Sequence, residues 1–395
     1  MREILTTLLL LCAISSNAQL KWTGTWATAP QMTTKDNMPP ISLSGGSIRQ
    51  VVHISVGGST LRIQLSNEYG DEPLLVKSIF IANAIDSCDI DRKSARYITF
   101  SGKKEARVEA GKAIFSDAVK FELRPLQLLA VTINYETCPK SVTSHPGSRT
   151  TSYIIKGEAK PNTSFASATR TDHWYHLSAI DVYGVYGGSV AVLGNSITDG
   201  RGSTTNHQNR WTDICAEKLI PQQADLGTTG MLNLGIGGNC VLKGGIGEPA
   251  IKRFERDILG QRNLSAIILF EGVNDIGNSK GDSETVAMKL IETIQEFARK
   301  ARAKGVKVFA ATITPFKGHY YYTPFHEAAR QTFNGWVRTS DIFDGIVDFD
   351  MLMRDSEHPE TLKAEWQEDW LHPNATGYRV MGEYAAEILL GYSDR

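Results

Sequence analysis

The run Val190-Ala191-Val192-Leu193-Gly194-Asn195-Ser196-Ile197-Thr198-Asp199-Gly200 decides how the rest of the chain is read. Four apolar residues, Val190 to Leu193, read as a buried strand, and Gly194 stops it where the backbone must turn. Ser196 therefore stands just past the C-terminal end of a strand, where open α/β sheets place their ligands. A serine in a turn is by default a turn residue, its hydroxyl satisfying local backbone groups. Ser196 needs partners before it carries any chemistry.

Downstream of Gly188 the pattern alternates between strand and helix. Short apolar runs at Ser189 to Leu193, Met231 to Leu234, Ala266 to Phe270, Val306 to Ala311 and Gly345 to Phe349 read as strands. Helices are predicted near Arg210 to Leu219, Ala250 to Leu259, Glu284 to Lys304, Phe325 to Thr339 and Gly377 to Leu390. The third is clearest, because Ala287, Leu290, Ile291, Ile294, Phe297, Ala298 and Ala301 form one stripe, with Asp282 or Ser283 as N-cap and Gly305 beyond its end. Five β-α units imply a mainly parallel sheet covered by helices on both faces. Upstream, from about Leu20 to Tyr186, the chain is strand-like. Val52, Ile54 and Val56 alternate with polar residues, Gly57-Gly58 reads as a turn, and Leu61, Ile63 and Leu65 alternate again, which is a β-hairpin signature. Further short runs near Leu74 to Ile81, Tyr97 to Phe100, Val119 to Leu123 and Leu128 to Tyr135 suggest an antiparallel β-sandwich. The expected organisation is a leader over 1–18, a β-sandwich over 19–187 and an α/β domain over 188–395.

At 395 residues the chain is long enough for two cores. With 42 basic and 43 acidic residues, its formal charge of −1 offers no field to attract nucleic acid or an anionic membrane. Arg2, the apolar run Ile4 to Ile14 and the small residues Ser16 and Ala18 read as a signal peptide cleaved after Ala18, too short to span a bilayer. A secreted or periplasmic protein without stable membrane insertion is expected. Cys88 and Cys138 can pair in that setting, or all four cysteines beyond the leader are unpaired small hydrophobes. No Cys-x-x-Cys spacing points to a metal, and no metal or cofactor is expected.

Asp369-Trp370-Leu371-His372 supplies a partner for Ser196. An aspartate three residues before a histidine can hold one imidazole nitrogen and leave the other to take a proton from a hydroxyl. That spacing separates His372 from His145, His173, His176 and His319, for which a structural or exposed role is the default. Asn233-Leu234-Gly235-Ile236-Gly237-Gly238-Asn239 follows the second strand, and Gly272-Val273-Asn274-Asp275 follows the third. A glycine N–H and an asparagine amide are suitable donors to an oxyanion, although such turns are also ordinary loop chemistry.

These four ordered blocks resemble the SGNH or GDSL-like esterases and lipases, over about the C-terminal half of the chain. The resemblance implies a flavodoxin-like three-layer domain in which Ser196 is the nucleophile, His372 the base and Asp369 its orienting carboxylate. It also implies an oxyanion hole formed by the Ser196 and Gly238 amides and the Asn274 side chain. The absence of G-x-S-x-G argues against the α/β-hydrolase elbow. The opening Gly24-Thr25-Trp26-Ala27-Thr28-Ala29-Pro30 is similar to a two-domain bacterial subset, the xylan-associated arylesterases and acylhydrolases. One position departs from the family: Asn195 stands where aspartate is usual.

The resemblance implies a serine esterase working through an acyl-enzyme. Tyr320, Tyr321 and Tyr322, in the loop after the fourth strand, are either a flat platform for sugar rings or packing aromatics. An acetylated polysaccharide is the first choice of substrate. The alternatives are a lysophospholipase-like lipid acyl hydrolase and a non-catalytic glycan-binding protein. Asn374-Ala375-Thr376 is a formal glycosylation sequon, read as chance because a glycan there would crowd His372.

Overall fold

A computed structural model describes residues 20–86, 88–184, 186–222 and 229–393. The expected leader lies outside the described residues. Two large antiparallel sheets and a small third one, Trp174–Tyr175, Thr143–His145, Gln31–Met32, make up the first half. One has the order Lys21–Ala27, Leu177–Gly184, Gly58–Asn67, Lys112–Phe115, with Val119–Leu123 also on Gly58–Asn67. The other runs Thr169–Thr171, Ser152–Lys156, Gly46–His53, Leu128–Thr137, Leu74–Asn83, Arg96–Ile98, with Ala106–Val108 on Leu74–Asn83. Leu61, Ile63 and Leu65 from one sheet and Ile79, Ile81, Val131 and Ile133 from the other share a single buried cluster. The period-two alternation is thus the inward face of a sandwich, each such side chain contributing about 1.5–3 kcal/mol by burial.

One expectation about this half is corrected, and the choice left open for its cysteines is decided. Gly46–His53 and Gly58–Asn67 do not form a hairpin, since they belong to different sheets. Two-residue hairpin turns require positive φ, and neither Gly57 nor Gly58 adopts it. The segment between them crosses the sandwich instead, with Ile54 N–H donating to Gln127 O and Ser55 N–H to Thr25 O. Gly57 is needed for close approach, because a Cβ there would collide with the Leu123 carbonyl. Cys88 and Cys138 are both free. Their strands are antiparallel neighbours with Asn83 opposite Leu129 and Leu75 opposite Thr137, so the two cysteines follow opposite ends of the pair.

The second half is a five-stranded sheet in which every pairing is parallel. In chain order its strands are Gly188–Gly194, Thr229–Gly235, Leu264–Phe270, Lys307–Ala311 and Gly345–Val347, and in space they run second, first, third, fourth, fifth. That is the flavodoxin-like order. Val190 and Val192 face one apolar cluster with Trp211, Cys215, Tyr378 and Met381 from the helices Trp211–Gln222 and Ala375–Ser393. Ala191 and Leu193 face a second cluster with Phe254, Leu290, Phe297 and Phe333, from the helices on the other side. Helix Ser283–Ala303 buries the expected stripe, and Gly305 follows it at φ 73°. The last strand is shorter than read, because Phe349 opens the short helix Phe349–Met353.

The sandwich covers the edge of the parallel sheet. Met231 N–H on the edge strand donates to Ser55 Oγ at 3.1 Å, and a Cβ on Gly24 would lie 2.9 Å from Leu232. An edge covered in this way offers no template for pairing with another chain. Among the described residues no helix is long and apolar enough to cross a membrane.

Candidate active site

Ser196 opens the single-turn helix Ser196–Asp199 directly after the first strand. The strand can turn so tightly because Gly194 has no Cβ, which would collide with Thr198. Asn195 caps the turn, its Oδ1 accepting from Ile197 N–H at 3.1 Å. Gly200 ends the turn at φ 98°, a left-handed conformation that favours glycine. Ser196 thus sits in a helix first turn, whose N–H groups have no intrahelical partner.

His372 arrives from the loop before the last helix. Ser196 Oγ lies 2.8 Å from His372 Nε2, and His372 Nδ1 lies 2.8 Å from Asp369 Oδ2. The N–H groups of Leu371 and His372 both donate to Asp369 Oδ1, at 3.2 and 2.9 Å. This closes the four-residue turn, with Trp370 at φ 64°. Burial works against ionisation of Asp369, yet the bonds from the His372 backbone and ring hold its carboxyl below the usual range. Burial pushes the His372 imidazole down to about 4, against the upward pull of Asp369. The ring is therefore neutral near pH 7, and a carboxylate at Nδ1 selects the tautomer whose Nε2 lone pair faces the hydroxyl.

The other two blocks reach the same cleft, which has a volume of about 450 Å³ and is lined by Ser196, Gly238, Asn274, Asp369 and His372 among others. Gly238 takes φ 70°, suited to glycine. Asn274 is buried, its Nδ2 donating to Asn239 O at 2.8 Å and its Oδ1 accepting from Tyr321 OH at 3.2 Å. One amide hydrogen remains for another acceptor.

The structure separates the three tyrosines. Tyr320 is 82% exposed and lines the cleft. Tyr321 also borders the cleft but is buried, with its hydroxyl on Asn274. Tyr322 does not line the cleft and packs edge-on to Phe316. The flat three-ring platform is corrected to a single exposed ring, because the turn Lys317 to Tyr322 points consecutive side chains in different directions.

Sequence reasoning missed the far wall. Gln31, Met32, Thr34, Asn37, Pro146, Gly147 and Arg149 of the sandwich also line the cleft. Behind Ser196, His145 Nε2 lies 2.9 Å from Asp199 Oδ1, and Asp199 Oδ2 accepts from Gly237 N–H at 3.1 Å. No local pattern marks either contact, since His145 and Asp199 lie in different halves of the chain and Asp199 and Gly237 follow different strands. As for metal ligands, Asp86, Cys88 and Asp89 cluster on a turn of the sandwich, outside the cleft lining.

Residues 192–380 match the family described as GDSL-like Lipase/Acylhydrolase. No curated protein matches the chain. Among solved structures, a family two carbohydrate esterase from Cellvibrio japonicus is similar at 12% identity over 96% of each chain, with a TM-score of 0.39. A GDSL-like lipase from Bacteroides thetaiotaomicron is similar at 17% identity over 52% of this chain and 88% of its own, with a TM-score of 0.37. A catalytic mutant of an acetylxylan esterase from Geobacillus stearothermophilus is similar at 15% identity over 51% of this chain and 94% of its own, with a TM-score of 0.38.

Proposed function

We propose, for a chain that carries a GDSL-like lipase/acylhydrolase domain and is a carboxylic ester hydrolase, that Ser196, His372 and Asp369 are its catalytic triad. The observation that carries this reading is the unbroken relay Ser196 Oγ, His372 Nε2, His372 Nδ1, Asp369, with both contacts at 2.8 Å. Ser196 Oγ attacks the ester carbonyl while His372 takes its proton. The oxyanion is held by the Ser196 and Gly238 amides and the Asn274 side chain. His372 then gives its proton to the departing alcohol and next activates the water that frees the acyl group.

The substrate we infer is an acetylated carbohydrate outside the cell. Tyr320 supports this with an exposed ring beside the nucleophile, and Gln31, Thr34, Asn37 and Arg149 supply hydrogen-bonding groups on the opposite wall. Export rests on the leader-like residues 1–18. A second reading, a lipid acyl hydrolase, draws on Met32 and Ile246, which are 60% and 57% exposed on the same cleft and would suit an acyl chain.

The test is a panel of p-nitrophenyl acetate, long-chain p-nitrophenyl esters, lysophospholipid and acetylated xylan, each run with wild type and Ser196→Ala. We expect Ser196-dependent release of acetate from the short ester and the xylan. Turnover confined to long chains would replace the carbohydrate reading with the lipid one, and full turnover by Ser196→Ala would remove the triad assignment.

A further inference from the structure

Asn195, the position that departs from the family pattern, contacts a buried ion pair beneath the site. Its Nδ2 donates to Glu271 Oε2 at 3.2 Å, and Gly272 N–H donates to the same oxygen at 3.3 Å. Glu271 Oε1 lies 3.8 Å from Arg253 NH2, and both side chains are fully buried. Arg253 in turn donates to Gly194 O at 3.2 Å, to Leu234 O at 2.8 Å and to Asn239 Oδ1 at 3.0 Å. Asn239 O is the acceptor that orients the Asn274 amide. One guanidinium and one carboxylate therefore touch the ends of all three strands that carry Ser196, Gly238 and Asn274.

We propose that Arg253, Glu271 and Asn195 form a positioning hub that sets the nucleophile and the oxyanion donors in register, and that Asn195 is matched to Glu271 as the amide donor that carboxylate requires. The inference rests on the triad reading above. Asn195 satisfies two demands at once: its oxygen caps the Ser196 turn and its nitrogen serves Glu271. An aspartate could cap the turn but would set an acceptor against an acceptor. Glu271 is faced by Arg253, with Asp257 behind it at 3.5 Å, and by Asp275, while Cys240 also senses its charge. Burial pushes the Glu271 carboxyl up to about 8, Arg253 opposing the shift and Asp275 adding to it. A second carboxylate at position 195 would restore the bond only by sharing a proton with Glu271, so the loss must grow as pH rises.

The experiment is a pH profile of kcat and KM on p-nitrophenyl acetate for wild type, Asn195→Asp, Glu271→Gln and the double variant. Asn195→Asp is expected to lose about tenfold or more in kcat at pH 9, to recover toward pH 6, and to keep KM within about threefold. Glu271→Gln alone can keep an amide oxygen on Asn195 and Gly272 but turns its NH2 toward the Arg253 guanidinium, and is expected to lose several-fold at every pH. In the double variant the glutamine amide donates to the new carboxylate, so its kcat should exceed that of either single variant and its alkaline loss should disappear. Asn195→Ser keeps the cap and drops the link to Glu271, giving a pH-independent loss and covering the case in which the aspartate variant does not fold. A flat profile for Asn195→Asp at wild-type kcat, or a double variant no better than the worse single one, would overturn the hub. Failure of the triad reading would show separately, as Ser196-independent turnover in the wild-type background.

Discussion

Two histidine–aspartate pairs flank Ser196, and only one of them is arranged for proton transfer. His372 presents Nδ1 to Asp369 and Nε2 to the Ser196 hydroxyl. His145 presents Nε2 to Asp199 and Nδ1 to the Ala29 carbonyl, both at 2.9 Å. Both nitrogens of His145 thus face oxygen acceptors, so no lone pair is turned toward a hydroxyl, and the ring is also stacked on Trp174. The two pairs contain the same residue types and are both largely enclosed. What separates them is the second partner of the imidazole, a donor in one case and an acceptor in the other. A histidine beside an aspartate is a base only when its remaining nitrogen has a proton to take.

The largest effect that could break this contrast is loss of the proposed base. His372→Ala is expected to lower kcat by about 10⁴- to 10⁶-fold, as removal of one member of a concerted triad does. Single-turnover kinetics on p-nitrophenyl acetate would measure it, and a loss below about 100-fold would mean that another group serves Ser196. Next in size is Asn274→Ala, which removes one side-chain donor from the proposed oxyanion hole. It should cost about 10²- to 10³-fold in kcat with little change in KM, since the bond is made to the developing charge. A change confined to KM would place Asn274 in ground-state binding instead.

The readability of the chain followed the same line between local and distant partners. The parallel sheet was legible because Val190 to Leu193 alternate between two buried faces, and the helix Ser283–Ala303 because its stripe repeats at helical spacing. Asp369 and His372 were legible because they are three residues apart. The hairpin at Gly57-Gly58 was misread because glycine permits a positive φ without requiring it, and here tertiary crowding at the Leu123 carbonyl explains the residue. Arg253 and Glu271 carried no signal: one looks like a helix-surface cation and the other like the polar end of a strand. Their burial follows from three strand ends converging, which no window of sequence contains. His145 was invisible for the same reason, since its partner Asp199 lies across the contact between sandwich and sheet.

That contact sets the smallest effect and the sharpest use of the comparison. Asp199 receives His145 on one oxygen and Gly237 N–H on the other, with Arg149 NH2 at 3.6 Å, so it ties the sandwich to the turn that precedes Gly238. His145→Ala removes the ring nitrogens that face Asp199 and the Ala29 carbonyl. Unmade bonds of this kind cost about 1–3 kcal/mol each in stability. The cost to kcat should stay below about tenfold, because His145 touches neither the reacting hydroxyl nor the base and acts on Gly238 only through Asp199 and Gly237. Urea denaturation paired with kcat on p-nitrophenyl acetate separates these outcomes. A lowered midpoint with kcat nearly kept assigns His145 to joining the two halves of the molecule, whereas a kcat loss near that of His372→Ala with an unchanged midpoint would erase the distinction between the two pairs.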